Sequence, residues 1–222
     1  YYLEKAPAFI KGDVEKLREF INKYIQYGDD KETLYMIENG KIRPSKSLQD
    51  ALSSMLKGNE EFVMIDNQKL VYETALDMAR KSYKDGNKRV LVVKGGPGTG
   101  KSVLAINLLV RLTNENMVCS YVTKNAAPRN VYATKLSGDF RKTRINNLFK
   151  GSGSFVESSE NEFDVLIVDE AHRLNAKSGM FQNLGENQIK EIIKASKFSI
   201  FFIDESQRVT LKDIGSIEEI QK

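Results

Sequence analysis

The sequence predicts an α/β fold in which a mostly parallel β-sheet carries helices on both faces, after a small helical region. Three observations favour this fold class. Apolar segments of strand length alternate with segments of helical periodicity over most of the chain. A glycine-rich segment, 95–102, joins one predicted strand directly to a helix. Two further apolar strands end in carboxylates, Asp169-Glu170 and Asp204-Glu205, which a parallel sheet would bring to one edge.

The chain is predicted to divide into a helical N-terminal region, residues 1–62, and an α/β domain, residues 63–222. Apolar residues recur at helical spacing in three segments of its first part. These helices are predicted at 13–27, from the opening at Pro44-Ser45-Lys46-Ser47 to Gly58, and at 68–83, which Asp85-Gly86 closes. The first two helices either bind a partner or pack over the sheet, and packing is the interpretation we favour.

Strands and helices then alternate. The predicted strands are 88–94, 118–123, 163–168 and 198–203. The helices between and after them are predicted at 103–110, near 129–136, near 188–195 and at 216–221.

Composition excludes several classes of protein. The 222 residues are 41% hydrophobic and 29% charged, as in soluble globular proteins. No apolar run approaches the ~20 residues of a membrane span, and no signal peptide opens the chain, so we expect a cytoplasmic protein without a membrane partner. Cys119 is the single cysteine, which excludes an internal disulfide and predicts a buried thiol. Tyr1 is not an initiator methionine, so we expect the chain to be a piece of a longer protein.

The glycine-rich segment matches the phosphate-binding pattern G-x-x-x-x-G-K-[ST] at every fixed position. Its residues are Gly95, Gly96, Pro97, Gly98, Thr99, Gly100, Lys101 and Ser102. A strand, a glycine loop and a helix N-terminus together direct backbone N–H groups at one anion. Lys101 adds a positive charge for the β- and γ-phosphates, and the Ser102 hydroxyl can ligate Mg²⁺. The segment therefore predicts a nucleoside triphosphate site.

The strand 163–168 ends in Asp169-Glu170-Ala171-His172. At the edge that also holds the glycine loop, Asp169 would hold Mg²⁺ through its water shell, and Glu170 would deprotonate the attacking water. His172 is the sole histidine, which excludes a histidine metal cluster. Its predicted role is to couple the nucleotide site to the rest of the domain by hydrogen bonding.

The strand 198–203 ends in Asp204-Glu205-Ser206-Gln207. An uncharged amide at Gln207 could hydrogen-bond the γ-phosphate or the attacking water and lose that contact after hydrolysis. Taken alone, the motif also fits an ordinary polar turn after a strand.

Basic residues are concentrated between residues 121 and 150, where seven Lys or Arg residues face one acidic residue. Aromatic residues lie among them, as in surfaces that bind a phosphate backbone and stack bases. The candidate contacts in the second half of this window are Arg141, Lys142 and Arg144. A solvated basic face is the alternative interpretation.

The three motifs, in this order, resemble motifs I, II and III of superfamily 1 helicases on a RecA-like P-loop NTPase fold. Gln68 resembles their adenine-reading glutamine, and 121–125 resembles their motif Ia, which contacts the nucleic-acid backbone. The resemblance thereby implies contacts from Thr123, Lys124, Asn125 and Arg129. More narrowly, the stretch from about Pro44 to Val209 resembles the Schlafen group 3 type DNA/RNA helicase domain of a bacterial family. His172 departs from superfamily 1, since it gives the Asp-Glu-Ala-His form that is commoner in superfamily 2.

The resemblance implies ATP and Mg²⁺ as cofactors and single-stranded DNA or RNA as partner. It implies a helicase or translocase motor in which Lys101, Glu170 and Gln207 are catalytic. It also implies a second RecA-like domain that supplies an arginine, so we expect this chain alone to hydrolyse ATP slowly. A further effector domain is expected in the full-length protein.

Two alternatives belong to other functional classes. One is a P-loop ATPase switch that acts on a protein partner in defence or stress signalling. The other is a kinase, which the combination of Asp169-Glu170 with Gln207 disfavours.

Overall fold

A computed structural model describes residues 7–25, 48–57, 59, 64–179, 183–208, 210 and 212–222. The chain separates into two compact units, Tyr1–Ser45 and Lys46–Lys222. The second predicted helix therefore groups with the α/β unit, whereas the predicted boundary lay between residues 62 and 63. Whether 1–62 and 63–222 form separate domains of the protein stays a prediction.

The described part of the first unit contains helix α1, Val14–Tyr24. Asp13 precedes it and accepts a hydrogen bond from Lys16 Nζ at 2.9 Å. The ring of Phe20 lies 5.3 Å from that of Phe9, centroid to centroid. The helix confirms the periodicity predicted over 13–27, although residues 26 and 27 lie outside the described part of the chain.

The larger unit begins with two helices, α2 at Leu48–Leu56 and α3 at Asp66–Asp85. Helix α2 buries the apolar face that its sequence predicts, with Ala51 and Leu52 fully buried. Helix α3 ends where predicted, because Gly86 has a φ of 72° and leaves the helical conformation. The predicted opening at 44–47 and the predicted end at Gly58 lie outside the described residues.

In the described part of the chain, five parallel strands form one sheet in the order β1-β5-β4-β2-β3. Their bounds are Arg89–Lys94 for β1, Cys119–Val122 for β2, Phe149–Lys150 for β3, Phe163–Val168 for β4 and Ser196–Ile203 for β5. Strand β1 pairs with β5 from Arg89 and Phe198 to Lys94 and Ile203. The sheet confirms the predicted parallel arrangement and adds β3, which the sequence did not predict.

Helices follow or connect these strands. They are Lys101–Asn114 (α4), Ala126–Leu136 (α5), Lys142–Leu148 (α6), Gln188–Ala195 (α7) and Ile217–Gln221 (α8). Short 3-10 helices lie at Ser152–Phe155, Ala171–Arg173 and Glu205–Gln207. The longest described helix is α3, with 20 residues. Within the described residues, no helix is both long enough and apolar enough to cross a membrane.

Alternate residues of each central strand pack into two apolar clusters, one on each face of the sheet. In β5, Phe198, Ile200 and Phe202 join the cluster that contains residues of α2, α3 and α4. Phe201 and Ile203 join the other cluster, which contains residues of α7 and α8. Because both faces are covered, the central strands read as continuous apolar runs. This layering confirms the α/β fold.

Candidate nucleotide-binding site and basic surface

The glycine loop runs from the end of β1 to the first turn of α4. Gly98 and Gly100 have φ values of 72° and 81°, a conformation that only glycine adopts without strain. The N–H of Gly95 donates to the carbonyl of Ile203 at 3.1 Å, which ties the loop to the end of β5. The loop thus leads into the N-terminus of a 14-residue helix, whose positive end favours an anion.

Lys101 places its charge at the loop itself. Its ammonium donates to the carbonyl oxygens of Gly95 and Gly96, at 2.6 Å each. Thr99 Oγ1 also donates to Gly96 O, at 2.8 Å. The ammonium therefore lies within the same short segment as the backbone N–H groups that would bind phosphate.

The carboxylate of Asp169 collects three hydrogen-bond donors from different parts of the chain. Ser102 Oγ and Tyr121 OH each donate to its Oδ2 at 2.6 Å. The N–H of Glu170 donates to its Oδ1 at 2.9 Å. Asp169 is buried, with 3% of its surface exposed. The end of β4 is thereby joined directly to the glycine loop.

Tyr121 is a site residue that sequence reasoning missed. It lies on β2, opposite Ile167 in the parallel register, on the strand next to β4. Burial, together with the charge of Asp169, raises the pKa of Tyr121, so its hydroxyl stays protonated and acts as a donor. A tyrosine within a short apolar strand was the one signal that could have indicated this contact.

The residues present fit a magnesium ion. Ser102 and Asp169 offer a hydroxyl and a carboxylate, which are the hard oxygen ligands that Mg²⁺ prefers. Their oxygens lie 2.6 Å apart at the start of α4, beside the segment that would bind phosphate. The site would need few protein ligands, since Mg²⁺ usually keeps several waters and binds phosphate oxygens as well.

Glu170 has an unusual backbone conformation. Its φ of 53° and ψ of 44° lie in the left-handed region, which is uncommon for a residue other than glycine. Such a conformation costs on the order of 1–3 kcal/mol and occurs often at functional sites. It changes the direction of the chain directly after Asp169 and starts the short helix Ala171–Arg173.

His172 connects the ends of β4 and β5. Its Nδ1 accepts the backbone N–H of Asp204 at 3.4 Å, and 2% of its surface is exposed. Burial lowers the pKa of His172, which favours the neutral ring that this hydrogen bond requires. The geometry suits the predicted coupling role better than a role in proton transfer.

The third motif forms a tight turn after β5. Asp204 Oδ1 accepts both the N–H and the hydroxyl of Ser206, and these bonds lower the pKa of the carboxyl group. Gln207 is exposed, and its N–H donates to Asp204 O at 3.0 Å. A cavity of about 360 Å³ is lined by Gln207 together with Glu170, His172 and residues of the glycine loop, including Pro97.

A second cavity, of about 320 Å³, borders the same loop and contains Gln68. The Gln68 amide donates to Thr99 O at 2.9 Å, and its carbonyl oxygen accepts from Ile65 N. A Cβ at Gly100 would lie 2.5 Å from Gln68 Nε2, so the contact between side chain and loop is close. The lining also includes the apolar residues Val71, Val93 and Leu104.

The candidate nucleic-acid contacts after β2 are engaged within the protein. Thr123 is buried. Lys124 Nζ donates to Asn175 Oδ1 and Asp213 Oδ1, at 3.0 Å each. Asn125 caps α5 by accepting the N–H of Ala127, and Arg129 Nε lies 3.4 Å from Asn125 O. The resemblance to motif Ia gave no indication of the Lys124 ion pair.

The other candidate contacts lie at the opposite edge of the sheet. Arg141, Lys142 and Arg144 are exposed. Arg141 and Arg144 line a cavity of about 740 Å³ beside Cys119 and Phe163, which begin β2 and β4. The Arg144 guanidinium lies over the Phe140 ring, at 4.9 Å from its centroid. The structure therefore does not bring the two sets of basic residues together.

Cys119 is buried, as predicted, and burial raises the pKa of its thiol. A thiol that stays protonated is a poor nucleophile. Burial and the protonated thiol therefore support a packing role for Cys119.

The chain is similar to known proteins in two ways. The family described as "Schlafen group 3, DNA/RNA helicase domain" matches residues 88–222, which include the glycine loop, Asp169-Glu170 and Gln207. Over 172 residues, or 70% of this chain, it is 24% identical to Protein RecA of Allorhizobium ampelinum and of Rhizobium rhizogenes. The match covers 47% of each RecA protein, so this chain spans about half the length of the curated relatives it matches.

Proposed function

Since the chain belongs to the family of Schlafen group 3 DNA/RNA helicase domains, we propose that it hydrolyses ATP in order to move along or unwind nucleic acid. Family membership makes it a nucleotide-binding, helicase-like domain with a RecA-like fold. The observation that carries the finer proposal is the hydrogen bond between Ser102 and Asp169. It joins the end of the phosphate-binding loop to a buried carboxylate at the end of β4, which is separated from β1 by β5 in the sheet.

The proposed ATP molecule lies along the glycine loop. The backbone N–H groups of 95–102 and the Lys101 ammonium would bind its phosphates. The adenine would occupy the cavity at Gln68, whose apolar residues can contact the faces of a base. This placement is supported by the two cavities, because both border Thr99 and Lys101 of the loop.

In the proposed reaction, water attacks the γ-phosphorus and the bond to the bridging oxygen of ADP breaks. Glu170 would accept a proton from that water, and Gln207 would orient the water or the γ-phosphate. Lys101 would stabilise the charge that develops on the phosphate oxygens. Ser102 and Asp169 would hold Mg²⁺, which when bound neutralises negative charge on the β- and γ-phosphates.

Nucleic acid is the proposed partner, and two surfaces are candidates for it. One lies after β2 with Lys124, Asn125 and Arg129, beside the nucleotide site. The other is the set Arg141, Lys142 and Arg144 at the opposite sheet edge. The second set is the more accessible, since its three side chains are exposed, whereas Lys124 is already paired with Asp213.

The test is the ATPase rate of the complete protein with and without single-stranded oligo-deoxythymidine and oligo-uridine. We expect the preferred polymer to raise the rate about tenfold, as coupled sites commonly do. Glu170→Gln is the control variant: ATP binding should persist, and hydrolysis should fall by about 10²–10⁴ if Glu170 is the general base. ATP hydrolysis that neither polymer changes would favour the switch that acts on a protein partner.

Salt dependence separates the two candidate surfaces. If Arg141 and Arg144 each neutralise one phosphate, the double variant Arg141→Ala/Arg144→Ala should lower the slope of log affinity against log salt by about 1.4–1.8. An unchanged slope would assign the phosphate contacts to other residues.

A further inference from the structure

A five-residue segment, 213–217, crosses the loops that follow three different strands of the sheet. We call it the strap. At its centre it contacts the turn that follows Glu170. Ile214 N donates to Leu174 O at 2.8 Å, and Asp213 forms an isolated antiparallel bridge with Asn175. The strap therefore lies directly against the second motif.

The strap also leaves no space beside this turn at Gly215. A Cβ added there would overlap the carbonyl oxygen of Ala171 and lie 2.7 Å from the Cα of His172. Backbone is packed against backbone at this point, so a displacement of the turn would press on the strap.

At its C-terminal end the strap contacts the loop after β5. Arg208 donates to Gly215 O from Nε at 3.0 Å and from Nη2 at 2.9 Å. Ile217 N donates to Glu205 Oε1 at 3.2 Å. The loop that carries Gln207 is thus attached to the same segment.

At its N-terminal end the strap reaches the loop after β2 through Asp213. The side chain of Asp213 is fully buried, and its Oδ1 lies 3.0 Å from Lys124 Nζ. Its Oδ2 accepts Thr210 N at 3.0 Å and lies 3.7 Å from Arg173 Nε. Among the described residues, this Arg173 nitrogen is buried without a hydrogen-bond partner.

Asp213 therefore lies between two cations that belong to different functional loops. Lys124 is a candidate nucleic-acid contact, and Arg173 is in the short helix that follows Glu170. Removing one partner of a buried ion pair is strongly destabilising, because it leaves a buried charge without compensation. If a nucleic-acid phosphate drew Lys124 away, Arg173 could become the partner by closing the distance of 3.7 Å to a hydrogen bond.

We propose that Asp213 is a positioning residue which transmits contact at Lys124 to the turn after Glu170 by exchanging Lys124 for Arg173. The exchange moves the helix Ala171–Arg173 and, through it, the carboxylate that would activate water. This inference rests on the proposed nucleic-acid-stimulated ATPase. It assigns that stimulation to one buried carboxylate that lies near two cations of different loops in the described part of the chain. An exchange between those cations is the kind of two-state element that coupling between sites requires.

The test compares Asp213→Asn with a matched control, Asp164→Asn, in the complete protein. Asp164 is also buried and paired with a lysine, Lys197 at 2.7 Å, but it lies at the other end of β4. Both kcat and KM for ATP are measured with and without oligo-deoxythymidine and oligo-uridine. We expect Asp213→Asn to reduce stimulation of kcat about tenfold while KM changes by less than about twofold. Asp164→Asn should keep the full stimulation.

Arg173→Gln provides a second variant in case Asp213→Asn does not fold. The Arg173 side chain is 32% exposed, and Asp213 keeps Lys124 as its partner. This variant should also lose most of the stimulation. Full stimulation in either folded variant would overturn the inference.

Hydrogen exchange separates this inference from the proposed function. Asp213→Asn should raise amide exchange in both 123–125 and 170–175, whereas Asp164→Asn should raise it in neither. If the ATPase rate of the wild-type protein responds to neither polymer, the proposed function fails. The hydrogen-exchange measurement alone then decides the role of Asp213. Unchanged exchange in these two segments would then overturn it.

Discussion

The polar residues at the carboxyl ends of the strands are organised differently from those at the amino ends. We call these two ends the carboxyl edge and the amino edge of the sheet. At the carboxyl edge, side chains from separate segments of the chain bond to one another: Ser102 and Tyr121 to Asp169, and Lys124 to Asp213. At the amino edge, Arg141 and Arg144 are exposed around an open cavity, and Arg144 stacks on an aromatic ring. The sequence indicates both edges as candidate sites, the carboxyl edge by its motifs and the amino edge by its basic residues.

This difference shows what marks a preorganised site. Fixed donors around one buried carboxylate cost free energy to assemble and hold their positions before a ligand arrives. Exposed cations attract phosphate over a distance, but they keep their conformational freedom and are screened by salt. We therefore expect chemistry at the carboxyl edge and, at most, salt-dependent binding at the amino edge.

The largest expected difference in ATPase rate is between two variants that each remove one lysine, Lys101 at the carboxyl edge and Lys150 at the amino edge. Lys101→Ala should lower the ATPase rate by about 10²–10³, because it removes a fixed charge at the proposed phosphate site. Lys150→Ala removes a lysine that lines the amino-edge cavity, where its ammonium lies 5.6 Å from the centroid of the Phe163 ring. It should leave the rate without nucleic acid unchanged within about twofold. Steady-state ATPase assays and titration with a fluorescent ATP analogue measure both variants. Equal losses of ATPase rate in the two variants would contradict the assignment of the chemistry to the carboxyl edge.

A smaller effect is expected from substituting glycines within the carboxyl edge. Gly215→Ala forces a methyl group into the backbone of Ala171 and His172 and should cost about 1–3 kcal/mol in the free energy of unfolding. A Cβ at Gly96 meets no heavy atom within 4 Å, so Gly96→Ala should lose less than about 0.5 kcal/mol. Urea denaturation of the two variants measures the difference. A Gly215→Ala protein as stable as wild type would show that the strap is not tightly packed.

The fold and the core of the site could be predicted because their signals are local. Apolar runs predicted β1, β2, β4 and β5, and the spacing of Gly100, Lys101 and Ser102 predicted the loop that joins β1 to α4. Strand β3 has only two residues, and α6 has seven, so neither produces a periodic pattern that stands out from a loop. The 3-10 helix Ser152–Phe155, whose Phe155 is buried, is likewise too short to give a periodic pattern.

The contacts that organise the site were beyond sequence reasoning because they are remote in sequence. Tyr121 meets Asp169 across 48 residues, and Lys124 meets Asp213 across 89. The first contact depends on the order of the strands in the sheet, and the second depends on the position of the strap. Neither follows from periodicity or residue type alone, so a lysine predicted to face a nucleic acid was found in an ion pair.

The smallest expected effect concerns protonation at the carboxyl edge. Because burial lowers the pKa of His172 below its ordinary value of 6.5, the unfolded chain binds the proton first as pH falls. His172 should therefore reduce stability progressively as pH drops below about 6.5 toward its folded pKa, and contribute no pH dependence above that range. As the sole histidine of this sequence, it gives one resolvable ring signal in proton NMR, and a titration between about pH 5 and 8 measures its pKa directly. His172→Gln keeps an acceptor for the Asp204 N–H, and its urea midpoint should fall less than that of wild type over the same range. A titration midpoint at or above 6.5 would mean that the imidazole is solvated, and the close packing inferred for the carboxyl edge would not extend to the junction of β4 and β5.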